Sequence, residues 1–256
     1  MKLSKNLSRT IATISLTQFM VLGALWADGD RANRPLDTIA AGEIKIDVSI
    51  EIPLADEGGF FNPISVSPDI YYGINNNFSV GLLHSSASQG LLGFSNLFAG
   101  NSLALGDGDA YNNLGLEAQY TFLRQDSFSI AGQGGFYVDT INPDFNTSFK
   151  AGFIARANIG ALEATVNPYI RLPLDDSGTR DNNFFVPVWL YYNLQPRLDL
   201  TIITGLNDEA LMLGGGVSYD LEGPIDFAAH IGWPKLAGTN GAADNLAARF
   251  YASINL

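Results

Sequence analysis

The sequence predicts an all-β protein, a transmembrane antiparallel up-and-down β-barrel of about 12 strands. Three observations predict it. Segments that alternate apolar and polar residues recur along the chain, and most run for about nine to eleven residues, the length a tilted strand needs to cross a bilayer. Short turns alternate with longer connections between those segments, as when one rim of a membrane barrel carries hairpins and the other carries loops. Aromatic residues collect towards the segment ends, where two interfacial belts would lie.

Residues 43–54, EIKIDVSIEIPL, show the alternation most clearly. Ile44, Ile46, Val48, Ile50 and Ile52 alternate with Lys45, Asp47, Ser49 and Glu51. A period of two puts the β-branched residues on one face of an extended strand and the polar residues on the other. A soluble sandwich would bury the Ile face. A membrane barrel turns it to lipid and lines a lumen with the polar face.

Composition narrows the function classes. The chain has no cysteine, so disulfides, thiolate chemistry and Cys-ligated metals are excluded. Charged residues make up only 16%, and the net charge of -12 argues against nucleic-acid binding, which needs a basic face for phosphates. At 46% hydrophobic residues the chain is too polar for a bundle of membrane helices.

Residues 1–27 read as a secretory signal peptide. Lys2, Lys5 and Arg9 make its positive start, residues 11–25 its apolar centre, and Ala24-Leu25-Trp26-Ala27 its end. Residues 28–42 are polar and aperiodic and read as a mobile periplasmic lead-in. Residues 43–256 form the predicted transmembrane barrel.

Within it, residues 65–74 set Val66, Ile70, Tyr72 and Ile74 on one face, and the Asn75-Asn76-Asn77 turn leads into 78–85. After a long connection at 86–112, residues 113–122 set Leu114, Leu116, Ala118, Tyr120 and Phe122 against Asn113, Glu117, Gln119 and Thr121. Residues 128–138 and 148–159 follow. In the second of these Phe149, Ala151, Phe153, Ala155 and Ala157 oppose Lys150, Arg156 and Asn158. Gly160-Ala161 turns into 162–172. Residues 184–192 carry Phe184, Val186, Val188, Leu190 and Tyr192 on one face, and 198–206, 211–221, 225–233 and 246–256 complete the set. The turns at 75–77, 123–127, 160–161, 193–197 and 222–224 are short. The connections at 55–64, 86–112, 139–146, 173–183 and 234–245 are longer, and only 207–209 departs from the alternation. Tyr71, Tyr72, Phe78, Tyr120, Phe122, Phe128, Tyr191, Tyr192 and Tyr219 lie near the short turns; Phe136, Phe149, Phe184 and Trp233 lie near the longer connections. Pro68, Pro168 and Pro187 fall inside predicted strands. A closed barrel has no free edge, so each is expected at a bulge or a ladder end.

The last segment, LAARFYASINL, carries Ala248, Phe250, Ala252, Ile254 and Leu256 in alternation up to the final residue. It resembles the terminal signal of bacterial outer-membrane β-barrel proteins, whose small porin-like channels are similar to this chain in size and pattern. That class usually ends in Phe or Trp, and Leu256 departs from it. The resemblance covers the leader and about residues 43–256. It implies the outer membrane of a Gram-negative bacterium, contact with outer-membrane lipid and lipopolysaccharide, and engagement of the barrel-insertion machinery through the last strand. The expected function is a narrow channel, or porin, for passive diffusion of small polar or charged solutes, with no cofactor.

If the apolar faces meet lipid, the pore-lining set is Lys45, Asp47, Glu51, Asp69, Glu117, Gln133, Lys150, Arg156, Glu163, Arg171, Asp199, Asp226, His230 and Arg249. Lys150, Arg156 and Arg171 belong to neighbouring strands and are expected to form a basic wall facing acidic residues elsewhere, a transverse field that tunes ion selectivity. In the 86–112 connection Leu91, Leu92, Phe94, Leu97 and Phe98 are candidates for a constriction loop. Asp107 and Asp109 offer oxygen ligands for Ca²⁺ but lack the spacing of an EF-hand loop, so no metal is expected. No catalytic set is expected either. One alternative is a lipid-acting hydrolase or deacylase, because His84 and Ser86 share the lipid face, with Asn96 as a third member, and a His can activate a Ser towards an acyl ester. The other is a closed structural or adhesive barrel whose loops bind a partner.

Overall fold

The computed structural model describes residues 39–55, 64–83, 104–105, 114–140, 146–174, 183–207, 210–221, 224–238 and 246–256. The predicted leader and most of the lead-in lie outside the described residues.

The described residues form fourteen strands in chain order: β1 (Ile44–Ala55), β2 (Ile64–Asn75), β3 (Phe78–Leu83), β4 (Ala104–Leu105), β5 (Leu114–Gln125), β6 (Phe128–Thr140), β7 (Asn146–Ile159), β8 (Leu162–Val166), β9 (Tyr169–Pro173), β10 (Asn183–Gln195), β11 (Leu198–Asn207), β12 (Ala210–Leu221), β13 (Ile225–Gly238) and β14 (Leu246–Asn255). All pairings are antiparallel; β3 pairs β2 and β5, β4 pairs only β2, β8 and β9 each pair β7 and β10, and the other strands pair their chain neighbours, while β1 pairs both β2 and β14. The sheet therefore closes on itself. At the seam Ile44 and Leu256 exchange both backbone hydrogen bonds, at 2.9 and 2.8 Å. Closure gives the strands other than β4 partners on both sides, the condition for strands to survive in hydrocarbon, where no water can serve an unpaired N–H or C=O.

Fourteen strands make twelve staves, the predicted number. Both β8 and β9 pair with β7 and with β10, and the register runs through their junction unbroken: Ala155↔Val166 leads to Gly152↔Tyr169, and Val188↔Val166 leads to Phe185↔Tyr169. They are one crossing interrupted at Asn167–Pro168. Likewise β3 and β4 pair with successive stretches of β2 in the same antiparallel sense and share one stave.

The prolines explain the interruption. Pro168 accepts the Phe153 N–H through its carbonyl, at 3.1 Å, but has no N–H to return. Pro187 accepts the Asn167 N–H at 3.0 Å and is deficient in the same way. Two prolines on adjacent staves thus share a single ladder gap. Pro68 sits opposite Val48 in β2, beyond Ile70↔Leu82 where the β2–β3 ladder ends. Register shifts fall at strand ends on both rims: Gly73/Asn75, Thr121/Leu123 and Asn193/Gln195 beside the turns, and Pro53/Ala55, Val138/Thr140 and Leu211/Leu213 beside the longer connections.

Sidedness follows the alternation. Ile44, Ile50, Ile70, Leu116, Phe136 and Ile202 stand exposed on the outer surface, while Lys45, Ser49, Asp69, Glu117, Tyr137 and Thr201 are buried within. This is the reverse of a soluble core, and it is what two solvents, lipid outside and a polar interior inside, demand. The outer aromatics include Tyr72, Tyr120, Phe122, Tyr192 and Tyr219 towards the short turns and Phe136 and Phe184 towards the longer connections. Tyr71 and Tyr191 do not belong to the belt expected for them. Each lies in step with the inner-face residues of its strand, and Tyr191 is fully buried.

The last residues of the predicted lead-in, 39–42, pack against the end of β2. Ile39 is buried, the Gly42 N–H bonds the Gly73 carbonyl at 2.8 Å, and the Gly73 N–H bonds the Glu43 carbonyl at 3.0 Å. A Cβ on Gly73 would lie 1.9 Å from the Ala40 carbonyl oxygen, so the chain passes this closely only because residue 73 has no side chain.

Candidate functional site: the barrel lumen

Of the predicted pore-lining residues, Lys45, Asp69, Glu117, Gln133, Lys150, Glu163, Asp199, Asp226, His230 and Arg249 are buried on the inner face. Asp47, Arg156 and Arg171 are half-buried and in step with them. Glu51 pairs opposite Arg249 in the β1–β14 ladder. The constriction candidates Leu91, Leu92, Phe94, Leu97 and Phe98, the catalytic candidates His84, Ser86 and Asn96, and the ligand candidates Asp107 and Asp109 all lie outside the described residues.

Two polar clusters organise the interior. The first is built on four successive staves. Glu117 on β5 pairs with Gly135 on β6, Gly135 pairs with Lys150 on β7, and Lys150 pairs with Arg171 on β9. Because Gly135 has no side chain, Lys150 reaches over β6 and places its ammonium 2.8 Å from Glu117 Oε2. The Tyr137 hydroxyl also donates to Glu117 Oε2, and Gln119 Nε2 donates to Glu117 Oε1 at 2.9 Å. One carboxylate thus takes three donors, which offsets the desolvation of a buried charge.

Aromatic faces complete this cluster. The Lys150 ammonium lies 4.7 Å from the centre of the Tyr169 ring, and the Arg171 guanidinium lies 5.2 Å from that of Tyr137. Both distances fall in the range of cation–π attraction. Tyr169 in turn stacks on Phe185, with centroids 4.8 Å apart and planes 16° from parallel. Arg171 Nη2 donates to Ser148 Oγ at 3.1 Å. A level nearer the short turns, Gln133 donates to Asn167.

The second cluster lies around the seam. Arg249 has no exposed surface; its Nη1 donates to the Tyr251 hydroxyl at 3.1 Å, and its guanidinium lies 5.5 Å from the Tyr251 ring centre. His230 packs edge-on against the same ring at 5.6 Å. Lys45 Nζ is 3.8 Å from Asp47 Oδ2, and Ser253 donates to Asp47.

The expected basic wall facing acids elsewhere is therefore corrected. Lys150 does not project its charge across the lumen but neutralises it on Glu117, two staves away on the same wall. Sequence reasoning also missed the aromatic share of the interior. Tyr137, Tyr169, Phe185, Trp189, Tyr191 and Tyr251 are all buried, and Tyr169, Phe185, Trp189 and Tyr191 join Ile203 and Ala247 in one cluster. The signal for β10 was present: once Phe184, Val186, Val188, Leu190 and Tyr192 take the lipid face, period two sends Phe185, Trp189 and Tyr191 inward.

A closed antiparallel ring, apolar outside and lined within by charged, polar and aromatic side chains, is the architecture of a transmembrane β-barrel. Solved structures of outer-membrane channels share it. The KdgM porin matches with a TM-score of 0.55 at 10% identity, over 82% of this chain and 98% of that one. The NanC porin matches with a TM-score of 0.57 at 11% identity, over 82% and 100%. An outer membrane channel from Pseudomonas putida F1 matches with a TM-score of 0.57 at 12% identity, over 87% and 99%. The KdgM porin has also been solved in complex with disordered oligogalacturonate. No family model matches the chain, and no curated protein matches it by sequence.

Proposed function

We propose that this protein is a narrow outer-membrane channel for passive diffusion of small polar or charged solutes. The observation that carries the reading is the inverted wall: buried Lys45, Glu117, Lys150, Asp199 and Arg249 inside, exposed Ile44, Ile50, Leu116, Ile202 and Phe250 outside. An interior of ionised groups is wasteful in a purely structural barrel and useful in one that conducts, because fixed charges of both signs replace part of a solute's hydration shell and set selectivity. The fold shared with porins supports the same reading, as does the oligogalacturonate bound by one of them, a charged solute of modest width.

On this reading residues 1–27 direct export, residues 28–42 lead in from the periplasm, and the last strand engages the insertion machinery of a Gram-negative cell. Lipid and lipopolysaccharide surround the apolar wall. Reconstitution into planar bilayers tests the proposal. Discrete conductance steps, with swelling of loaded liposomes in small sugars or amino acids, are expected. A barrel that folds yet leaves the bilayer as tight as bare lipid overturns it.

A further inference from the structure

The inner wall carries one region whose chemistry is unlike a general polar pore. On adjacent staves Tyr169 and Phe185 are paired in register and stacked at 4.8 Å. The Lys150 ammonium lies 4.7 Å from the Tyr169 ring centre. Two pleats along β10 from Phe185 comes Trp189, 6% exposed and in the same buried cluster. Its indole Nε1–H has no hydrogen-bond partner among the described residues. A buried donor left without an acceptor costs free energy, so an unmet N–H inside a lumen points to something that meets it.

The wall at this level is also short of side chains. From Trp189 the paired row runs to Ile203, then to Gly214, Gly232 and Ala247. Two staves in succession carry no inner side chain at this level, and the hydrophobic cluster spans the gap, joining Trp189 and Ile203 on one side with Ala247 on the other. The wall thus offers a closely packed apolar stretch beside a stacked aromatic pair, with a cation at one end and an indole donor along it.

We propose that this stretch is a passage site for planar aromatic carboxylates, an inference that rests on the channel reading and names the solutes it favours. The ring of such a solute lies against the Tyr169–Phe185 pair. Its carboxylate competes with Glu117 for the Lys150 ammonium and accepts the Trp189 N–H. A sugar acid supplies the same charge but fits less well. Its hydroxyls each need a partner when desolvated, and much of the polar capacity nearby is engaged: Tyr137 and Gln119 Nε2 on Glu117, Arg171 on Ser148, Gln133 on Asn167, with the Thr165 hydroxyl opposite Trp189 left over.

The test uses the folded barrel with benzoate, acetate and galacturonate as probes, in two measurements. In planar bilayers benzoate is expected to interrupt the chloride current at concentrations where acetate and galacturonate do not. In detergent, calorimetry reads benzoate binding without requiring conduction. Trp189→Phe keeps the ring and removes the donor, and is expected to weaken benzoate roughly three- to tenfold, the effect of one buried hydrogen bond. Lys150→Arg keeps the charge and should retain binding, whereas the charge-neutral pair Lys150→Met with Glu117→Gln should lose it. Conductance without benzoate preference, or a Trp189→Phe barrel that binds benzoate as well as the wild type, overturns the site. Benzoate binding in a barrel that never conducts upholds the site and removes the channel.

Discussion

The ammonium of Lys150 sits 2.8 Å from Oε2 of Glu117, although β7 and β5 are not neighbours and β6 runs between them. Gly135 is the reason. A Cβ there would lie 2.6 Å from the Leu116 carbonyl oxygen and 3.2 Å from the Glu117 Cα, both backbone atoms that cannot yield cheaply. Gly135→Ala should therefore push β5 and β6 apart locally and destabilise the barrel by about 1–3 kcal/mol, the usual effect of overpacking. Urea titration of the lipid-inserted protein reads that loss, and an unchanged midpoint would mean the crossing is looser than the distances say.

Glu117 balances Lys150 in a buried site, so its removal alters the charge a permeating ion meets. Glu117→Gln keeps the shape and can still accept from Tyr137, but leaves Lys150 uncompensated. The lumen then gains one positive charge at that level, and selectivity should move towards anions. The reversal potential across a KCl gradient measures the shift. A move towards cations, or none, would show that ions pass without approaching this cluster.

How much of this was legible in the sequence follows from what period two can and cannot see. Alternation in residues 43–54 puts Lys45 and Ile44 on opposite faces; strand length and the alternation of turns and loops then turn the Lys45 face inward, and the same rule places Glu117, Lys150, Asp199 and Arg249 inside. Closure of the sheet is part of the barrel reading, but the Ile44–Leu256 pairing that makes it is not. Nor is the partner of Lys150: that depends on a register across three strands and on a glycine in the middle one. Tyr191 was assigned to an interfacial belt because it lies near a turn, yet its odd step from Tyr192 puts it inside. Proximity to a turn fixes depth in the membrane, whereas parity fixes the side, and the two had been merged.

Gly73 offers a test of the entry to the barrel. The Gly42 N–H is held by the Gly73 carbonyl at 2.8 Å, and the Ala40 carbonyl occupies the space a side chain would need. Gly73→Ala should displace residues 39–42 while β1 and β2 keep their ladder. Hydrogen exchange at the Gly42 amide is expected to accelerate by about tenfold or more, in line with ~1–3 kcal/mol of local strain. Protection equal to that of the wild type would mean the segment is held by contacts other than this close passage.

The assignment of the two faces predicts a depth-dependent cost for charge on the outer one. Ile202 stands 51% exposed at the middle of β11, flanked by buried Thr201 and Ile203. Leu198 is on the same face at the turn end of that strand. In water a change to Arg at either place would cost little, because the new side chain reaches solvent. In a bilayer, Arg at the midplane costs about 2–4 kcal/mol and near the interface about 0–1, where it can reach the headgroups. Ile202→Arg should thus lose far more stability than Leu198→Arg when unfolding is measured from lipid vesicles. Equal and small effects for the two would mean that the Ile row of this barrel meets water rather than hydrocarbon.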